Sequence, residues 1–302
     1  MKALLLVEIR RVIARRLIKG LVILAVAGIA LGAIIAAATS HRPSPEVVAA
    51  GEQRAADALR ECLAGHTIEP QDLPPDVTLE EFCRENVRPE FYYASGGLNL
   101  RDLPNWLQGV SFILFVGALV VGASFVGAEW HAGTMTTLLT WEPRRLRVLA
   151  AKALACVAVV FVLAAGLEVV LSLVLALVAK TRGITSGLPA GWFRSVVGAI
   201  ARVGTSSAAA SALGLSLAMI GRNAAAAMGV SFGYLAIVEG LIRGLKPQWQ
   251  KWLFGDNLNA FILGGGSFPG GRSVAAAALV LGLYLGVLLF VAAVSFRVRD
   301  VN

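Results

Sequence analysis

Six runs of about eighteen or more predominantly apolar residues limit what this chain can fold into. They cover residues 21–38, 106–128, 148–178, 196–220, 224–242 and 274–296. A helix rises about 1.5 Å per residue, so about 20 residues cross the ~30 Å hydrocarbon core of a bilayer. Backbone in that core has no water to bond, and a chain of such runs satisfies its own N–H and C=O groups as helices. The sequence therefore predicts an all-α integral membrane protein with six transmembrane helices. Composition agrees: 57% of the 302 residues are hydrophobic, 15% are charged, and mean hydropathy is +0.73. A soluble domain carries about a quarter charged residues. The first run follows a basic start, yet it reads as a retained anchor. It exceeds the usual apolar stretch of a signal peptide, and AAATSH (36–41) is a poor cleavage site.

All six tryptophans, Trp106, Trp130, Trp141, Trp192, Trp249 and Trp252, fall at or beyond the ends of these runs. Amphipathic rings prefer the membrane interface, so this is the expected belt. Lysine and arginine give the orientation. With a cytoplasmic N-terminus, thirteen of them face the cytoplasm, from residues 2–19, 144–152, 222 and 297–299, and the two short outer loops carry seven. The long segment 39–105 is discounted, because long loops cross largely regardless of charge. Both termini are thus placed in the cytoplasm. The net charge of +8 reads as this orientation signal and not as nucleic-acid binding, since no basic stripe with interleaved aromatics lies on a soluble face. Arginine outnumbers lysine 21 to 6 and alanine is abundant, which points to a GC-rich bacterial genome and hence a bacterial plasma membrane.

The segments between the runs have their own character. Residues 1–20 place Leu5, Leu6, Ile9, Val12, Ile13 and Leu17 at helical spacing, with Glu8, Arg11 and Arg15 on the other side. This predicts an amphipathic helix on the inner surface, its cations among anionic head groups. Residues 39–105 predict a small extracytoplasmic helical domain. Ser44-Pro45-Glu46 starts one helix, running to about Ala64 and stopping at Gly65, and Thr78 with Glu81 forms a capping box for a second. Cys62 falls on the first helix and Cys83 on the second, and outside the membrane such a pair can persist as a disulfide, two free thiols being the alternative. Cys156, within a run, reads as a small packing residue. Residues 243–273 read as an outer loop able to dip into the outer leaflet and return, and 297–302 as a cytoplasmic tail. Gly28/Gly32, Gly229/Gly233 and Gly282/Gly286 are GxxxG pairs, and residues 204–214 form a small-residue face, all suited to close helix packing.

Catalytic chemistry is scarce. GSFPGGRS (266–273) has a phosphate-loop skeleton, but Arg272 stands where lysine is needed and no strand precedes it. Ser124 has no base within reach: His131 is seven residues on, roughly 10 Å along a helix. His41 and His66 belong to the outer segment. No cluster suits a metal. Apart from Lys152, counted above with the cytoplasmic flank, three ionisable residues lie inside runs, Glu168, Arg202 and Glu239. Such groups are costly in lipid and face a partner or a wet cavity. Glu168 and Arg202 fall at overlapping depths and are read as a pair or as facing the substrate. Glu239 has Arg243 four residues on, a local helix pair.

The most specific stretch is EWHAGTMTTLLTWEPRRLRVLAAK, residues 129–152, a charged island between the second and third runs. Gly133 and Thr134 can break one helix and start another, Pro143 can stop it, and Leu138, Leu139 and Trp141 then offer apolar contact. Glu129, Gly133-Thr134, Leu138-Leu139, Pro143, Arg145 and Lys152 together resemble the signature of type-2 ABC transporter permeases. The resemblance implies a six-span exporter subunit with no nucleotide site of its own, ATP and Mg being bound by separate ABC ATPase subunits. It implies that residues 129–147 form the coupling helix that docks on that ATPase, and that a second permease subunit, identical or paralogous, completes the path. On this expectation Glu129 bonds free backbone N–H groups near Gly133 and Thr134, and Arg145 meets an acidic rim of the ATPase. The rival expectations are a membrane-anchored scaffold or sensor acting through its outer domain, and an ATP-independent channel or secondary transporter.

Overall fold

The computed structural model describes residues 2–65, 78–87, 89, 92, 97–185, 187–265 and 272–299, with no side chain described at 85. His66 and most of the 266–273 loop, residues 266–271, lie outside the described residues. Among those described, the chain is helical and six helices are long and apolar enough to cross a membrane. The chain is a multi-pass membrane protein by this measure.

Thirteen α-helices follow in order among the described residues: α1 (Lys2–Ala14), α2 (Arg16–Thr39), α3 (Pro45–Leu63), α4 (Leu79–Asn86), α5 (Leu103–Gly109), α6 (Ser111–His131), α7 (Thr134–Trp141), α8 (Arg145–Arg182), α9 (Trp192–Gly221), α10 (Ala224–Gly233), α11 (Glu239–Leu245), α12 (Phe254–Leu263) and α13 (Val274–Val298). A π-helical turn, Tyr234–Val238, joins α10 to α11, so the fifth run is one helix with a widened middle. The first helical break comes at Arg15, earlier than the sequence expectation at residue 20. The supposed outer loop at 243–273 carries the 3₁₀ turn Pro247–Trp252 and helix α12.

The chain forms two compact units. The larger holds residues 1–29, 104–172 and 191–302. Its centre is the α6–α9 crossing. Of the most apolar window of α9, 78% is buried, against 0% for α2 and 11% for α13. Backbone contact explains this. A Cβ on Gly122 of α6 would collide with the Ser211 carbonyl of α9, and one on Gly214 of α9 would collide with the Leu119 carbonyl of α6. Helices pack this closely where dispersion, and not hydrophobic drive, holds them together. Around the crossing lie Phe115, Leu119, Phe125, Leu213, Leu215 and Met219. Cys156 packs in the same cluster, as expected for a small apolar residue. By contrast, nothing lies within 4 Å of a Cβ built on Gly28, Gly32, Gly229, Gly233, Gly282 or Gly286. Among the described residues, the GxxxG pairs therefore do not serve close helix packing.

Local chemistry sets several boundaries. Asn223 caps α10 by accepting from the N–H groups of Ala225 (2.8 Å) and Ala226 (3.3 Å). Ser273 caps α13. The turn between α9 and α10 holds Arg222 at φ +52°.

The smaller unit holds residues 30–103 and 173–190. Here the predicted caps are observed: Ser44 accepts from the Val47 N–H and Thr78 from the Glu81 N–H. α3 ends at Leu63, with Gly65 at φ +74°. Cys62 and Cys83 form a disulfide, their Cα atoms 5.9 Å apart, stapling α3 to α4. Residues 98–100 lie beside Ile184, which donates its N–H to the Leu98 carbonyl (3.0 Å) and accepts from the Leu100 N–H (2.9 Å). Buried Ser40 accepts the Leu98 N–H at 3.1 Å.

Candidate functional site

The charged island folds as a short helix, and Glu129 and Lys152 at its two ends enter a buried ionic cluster. α6 ends at His131, Gly133 takes φ +67°, and α7 begins at Thr134. A positive φ of this kind suits glycine, which explains the break. Pro143 follows α7, and α8 begins at Arg145. α7 turns Met135 and Leu139 inward, four residues apart on one face, where both join the core cluster. Trp141 is 86% exposed, and Thr137 and Thr140 are also exposed. The expectation that Leu138, Leu139 and Trp141 form one presented apolar face is thus corrected. Leu139 is used inside, Leu138 is half-buried, and Trp141 projects alone.

Lys152 of α8 is fully buried. Its Nζ donates to Glu8 Oε2 of α1 at 2.9 Å and lies 2.7 Å from Glu129 Oε2 of α6. Glu8 is also fully buried and pairs with Arg11 at 3.1 Å, and the Lys152 Nζ sits 4.9 Å from the Phe125 ring centre. Two carboxylates and two cations therefore compensate one another, as buried charges require. Arg15 closes the cluster. It donates to the carbonyls of Ser124 (2.7 Å) and Phe125 (3.2 Å) near the end of α6. Three helices, α1, α6 and α8, are tied at this point.

Two expected roles are overturned here. Glu129 does not bond backbone N–H groups near Gly133; its carboxylate meets Lys152, and the Thr134 hydroxyl donates to the Glu129 carbonyl at 3.4 Å. Arg145 is not free for a partner. It donates to the carbonyls of Phe296 (3.1 Å), Arg297 (3.3 Å) and Arg299 (2.8 Å), capping the C-terminal end of α13. The amphipathic reading of α1 also changes, since Glu8 and Arg15 face protein and not head groups. The signals for this cluster are present in the sequence. Lys152 lies inside the run 148–178 and is as costly there as Glu168, and Glu8 is the sole carboxylate in the first 45 residues.

The intramembrane residues divide sharply. Glu239 accepts the Gly255 N–H at 2.9 Å and pairs with Arg243 at 3.1 Å, and Arg243 also reaches Asp256 at 3.1 Å. The local helix pair is observed, with an added role: Glu239 satisfies the start of α12. Arg202 donates to the Ile262 carbonyl at the end of α12 at 3.1 Å. Glu168 is 1% exposed, and neither carboxylate oxygen has a hydrogen-bond partner. The expected Glu168–Arg202 pair is therefore not formed, because Arg202 is drawn to the unsatisfied carbonyl end of α12. Ser124 bonds the Val121 carbonyl of its own helix.

Two cavities flank the core. One, about 430 Å³, lies among α6, α9, α10, α12 and α13, and Tyr234 and Tyr284 stand in its wall with their hydroxyls 3.3 Å apart. The π-helical turn begins at Tyr234. The other, about 690 Å³, lies between α1–α2 and α8. Among the described residues no group of three metal-ligating side chains occurs. No protein-family model matches the chain, and no curated protein matches it.

Proposed function

We propose that this chain is the transmembrane permease subunit of an ATP-driven ABC exporter, coupled through residues 129–147 to a separate ATPase subunit. The carrying observation is the short helix α7. It interrupts two spanning helices and projects Trp141 at 86% exposure. It follows the end of α6, whose Glu129 belongs to a buried Glu8–Lys152–Glu129 cluster that joins three helices. Such a foot can pass a push at α7 to α1 and α8 together, where a plain connecting loop would absorb it.

Orientation has independent support. A disulfide persists in an oxidising compartment, and Cys62–Cys83 lies between the first and second spanning helices. On this reading six crossings leave both termini and α7 on the cytoplasmic side, in agreement with the lysine and arginine count. This is the side where ATP is available. On this reading α1 lies on the inner surface, α12 re-enters from the outer one, and the stapled α3–α4 unit is extracytoplasmic in a bacterial plasma membrane. The open glycine faces of α2, α10 and α13 suit a second permease subunit.

The test is co-purification from the native host combined with crosslinking. A cysteine at Thr137 is expected to crosslink to an ATPase chain, and Trp141→Asp to lower ATPase association at least tenfold without loss of the permease from the membrane. Intact association in Trp141→Asp, with no crosslink from Thr137, sinks the reading. The disulfide-stapled α3–α4 unit favours a second reading, a membrane-anchored scaffold or sensor. That reading gains if the crosslink is absent and the stapled unit captures an extracytoplasmic partner.

A further inference from the structure

We infer that the groove between the α1–α2 elbow and α8 is a binding site for one anionic phospholipid, an acyl chain lying in the groove and the phosphate on Lys19 and Arg16. The groove has a volume of about 690 Å³ and is walled by Ile9 and Ile13 of α1, Ile18, Val22 and Ile23 of α2, and Val159 and Val162 of α8. Its one charged wall residue is Lys19. Arg16 precedes Lys19 by three positions on α2, so the two share a face.

Charge accounting selects the head group. The first 45 residues contain one carboxylate, Glu8, and it is buried against Lys152 and Arg11. Arg15 is held by the Ser124 and Phe125 carbonyls. Among the described residues, Arg10, Arg16 and Lys19 make no ion pair or side-chain hydrogen bond, and all three are exposed. An apolar slot thus opens beside uncompensated cations with no acid left to oppose a phosphate. A zwitterionic lipid would bring its own ammonium to these cations, and a soluble phosphate would leave the slot empty. The inference needs the chain to lie in a membrane and does not depend on what the protein transports.

The experiment uses the full chain in mild detergent, titrated with dioleoylphosphatidylglycerol or dioleoylphosphatidylcholine and read by native mass spectrometry. One phosphatidylglycerol per chain is expected, bound about tenfold or more tighter than phosphatidylcholine. Lys19→Gln and Arg16→Gln should each weaken the anionic lipid about fivefold, the effect of one cation near a lipid surface, and leave phosphatidylcholine unchanged. Lys19→Arg should retain it. Ala158→Trp, which fills the groove from an exposed position, should weaken both lipids, with Val162→Trp as the second choice should the first lower the melting temperature. Glycerophosphoglycerol, the head group without chains, should not compete. Equal affinity for the two lipids, or unchanged phosphatidylglycerol binding in a folded groove-filling variant, overturns the assignment. So does a chain-to-chain crosslink from a cysteine at Ile23, which would give the groove to a second copy.

Discussion

Two buried ionisable residues on the same helix, Lys152 and Glu168, have opposite circumstances and should respond oppositely to removal. Lys152 stands between Glu8 and Glu129 at 2.9 and 2.7 Å. Lys152→Met leaves fully buried Glu8 with Arg11 alone and takes from Glu129 its ion-pair partner. Breaking a buried pair from one side costs about 3–5 kcal/mol, so the melting temperature in detergent should fall sharply. Adding Glu8→Gln should recover part of the loss, and losses that simply add across the double variant would mean the two groups do not interact. Glu168 has no hydrogen-bond partner for either oxygen. A buried polar group without a partner costs about 1–3 kcal/mol in protein series. Glu168→Leu should therefore raise stability by about that amount. A fall in transport alongside the rise in stability would mark Glu168 as a group kept for function, and unchanged transport would make it a passive relic of burial. A fall in stability would mean that the carboxyl is bonded after all.

At the scale of the helix, the α6–α9 crossing decides which small residues matter. Gly122→Val and Gly214→Val push a side chain into the facing backbone carbonyl. Overpacking of this kind typically costs about 1–3 kcal/mol, and more where backbone must move. Gly282→Val and Gly28→Val meet open space and should leave the fold of the single chain intact. Equal damage from both groups, measured by thermal unfolding, would contradict the crossing. The disulfide belongs to the same scale. Its ends are 21 residues apart, and closing such a loop is worth about 3 kcal/mol in the chain-entropy model. Cys62→Ala with Cys83→Ala should lower the stability of the α3–α4 unit accordingly. Much of this element scale was legible. Apolar length gave six helices, and Ser44, Thr78 and the two cysteines gave α3, α4 and their staple, because caps and spans are written within a few neighbouring residues. The GxxxG pairs find no close neighbour among the described residues, because a small residue permits close packing without saying whether a helix of this chain or of another subunit answers it. Gly122, which does the work, has no glycine partner four residues away. The site divided in the same way: Gly133 and Pro143 signalled α7 locally, while the Lys152 cluster depends on Glu8, 144 residues away in sequence.

Across the whole molecule, basic residues that the proposed orientation counts as cytoplasmic also bind helix backbone. Arg15 donates to carbonyls near the end of α6, Arg145 to those at the end of α13, and Arg299 to the Ile220 carbonyl at the end of α9 at 3.0 Å. Arg222 lies 4.6 Å from the centre of the Trp130 ring. The last carbonyls of a helix lack intrahelical donors and carry the negative end of its dipole, so a cation there is favourable. Arg145 and Arg299 therefore close the ends of α13 and α9, while Arg15 bonds carbonyls inside α6 before its last turn, and the arginine-over-lysine bias fits, since a guanidinium offers several donors in a fixed fork. The lysine and arginine count and the Cys62–Cys83 disulfide both bear on the proposed orientation, which can be measured. Single cysteines at Thr140 of α7 and at Glu52 of α3, each beside the intact Cys62–Cys83 disulfide, should react differently with a membrane-impermeant maleimide. The Glu52 site should label in intact cells. The Thr140 site should label only after permeabilisation, and its labelling should fall when the ATPase partner is present. The reverse pattern would place α7 outside, away from ATP, and both the orientation and the exporter reading would fall with it. Labelling of Thr140 from the inside that no ATPase alters would keep the orientation and remove the coupling role.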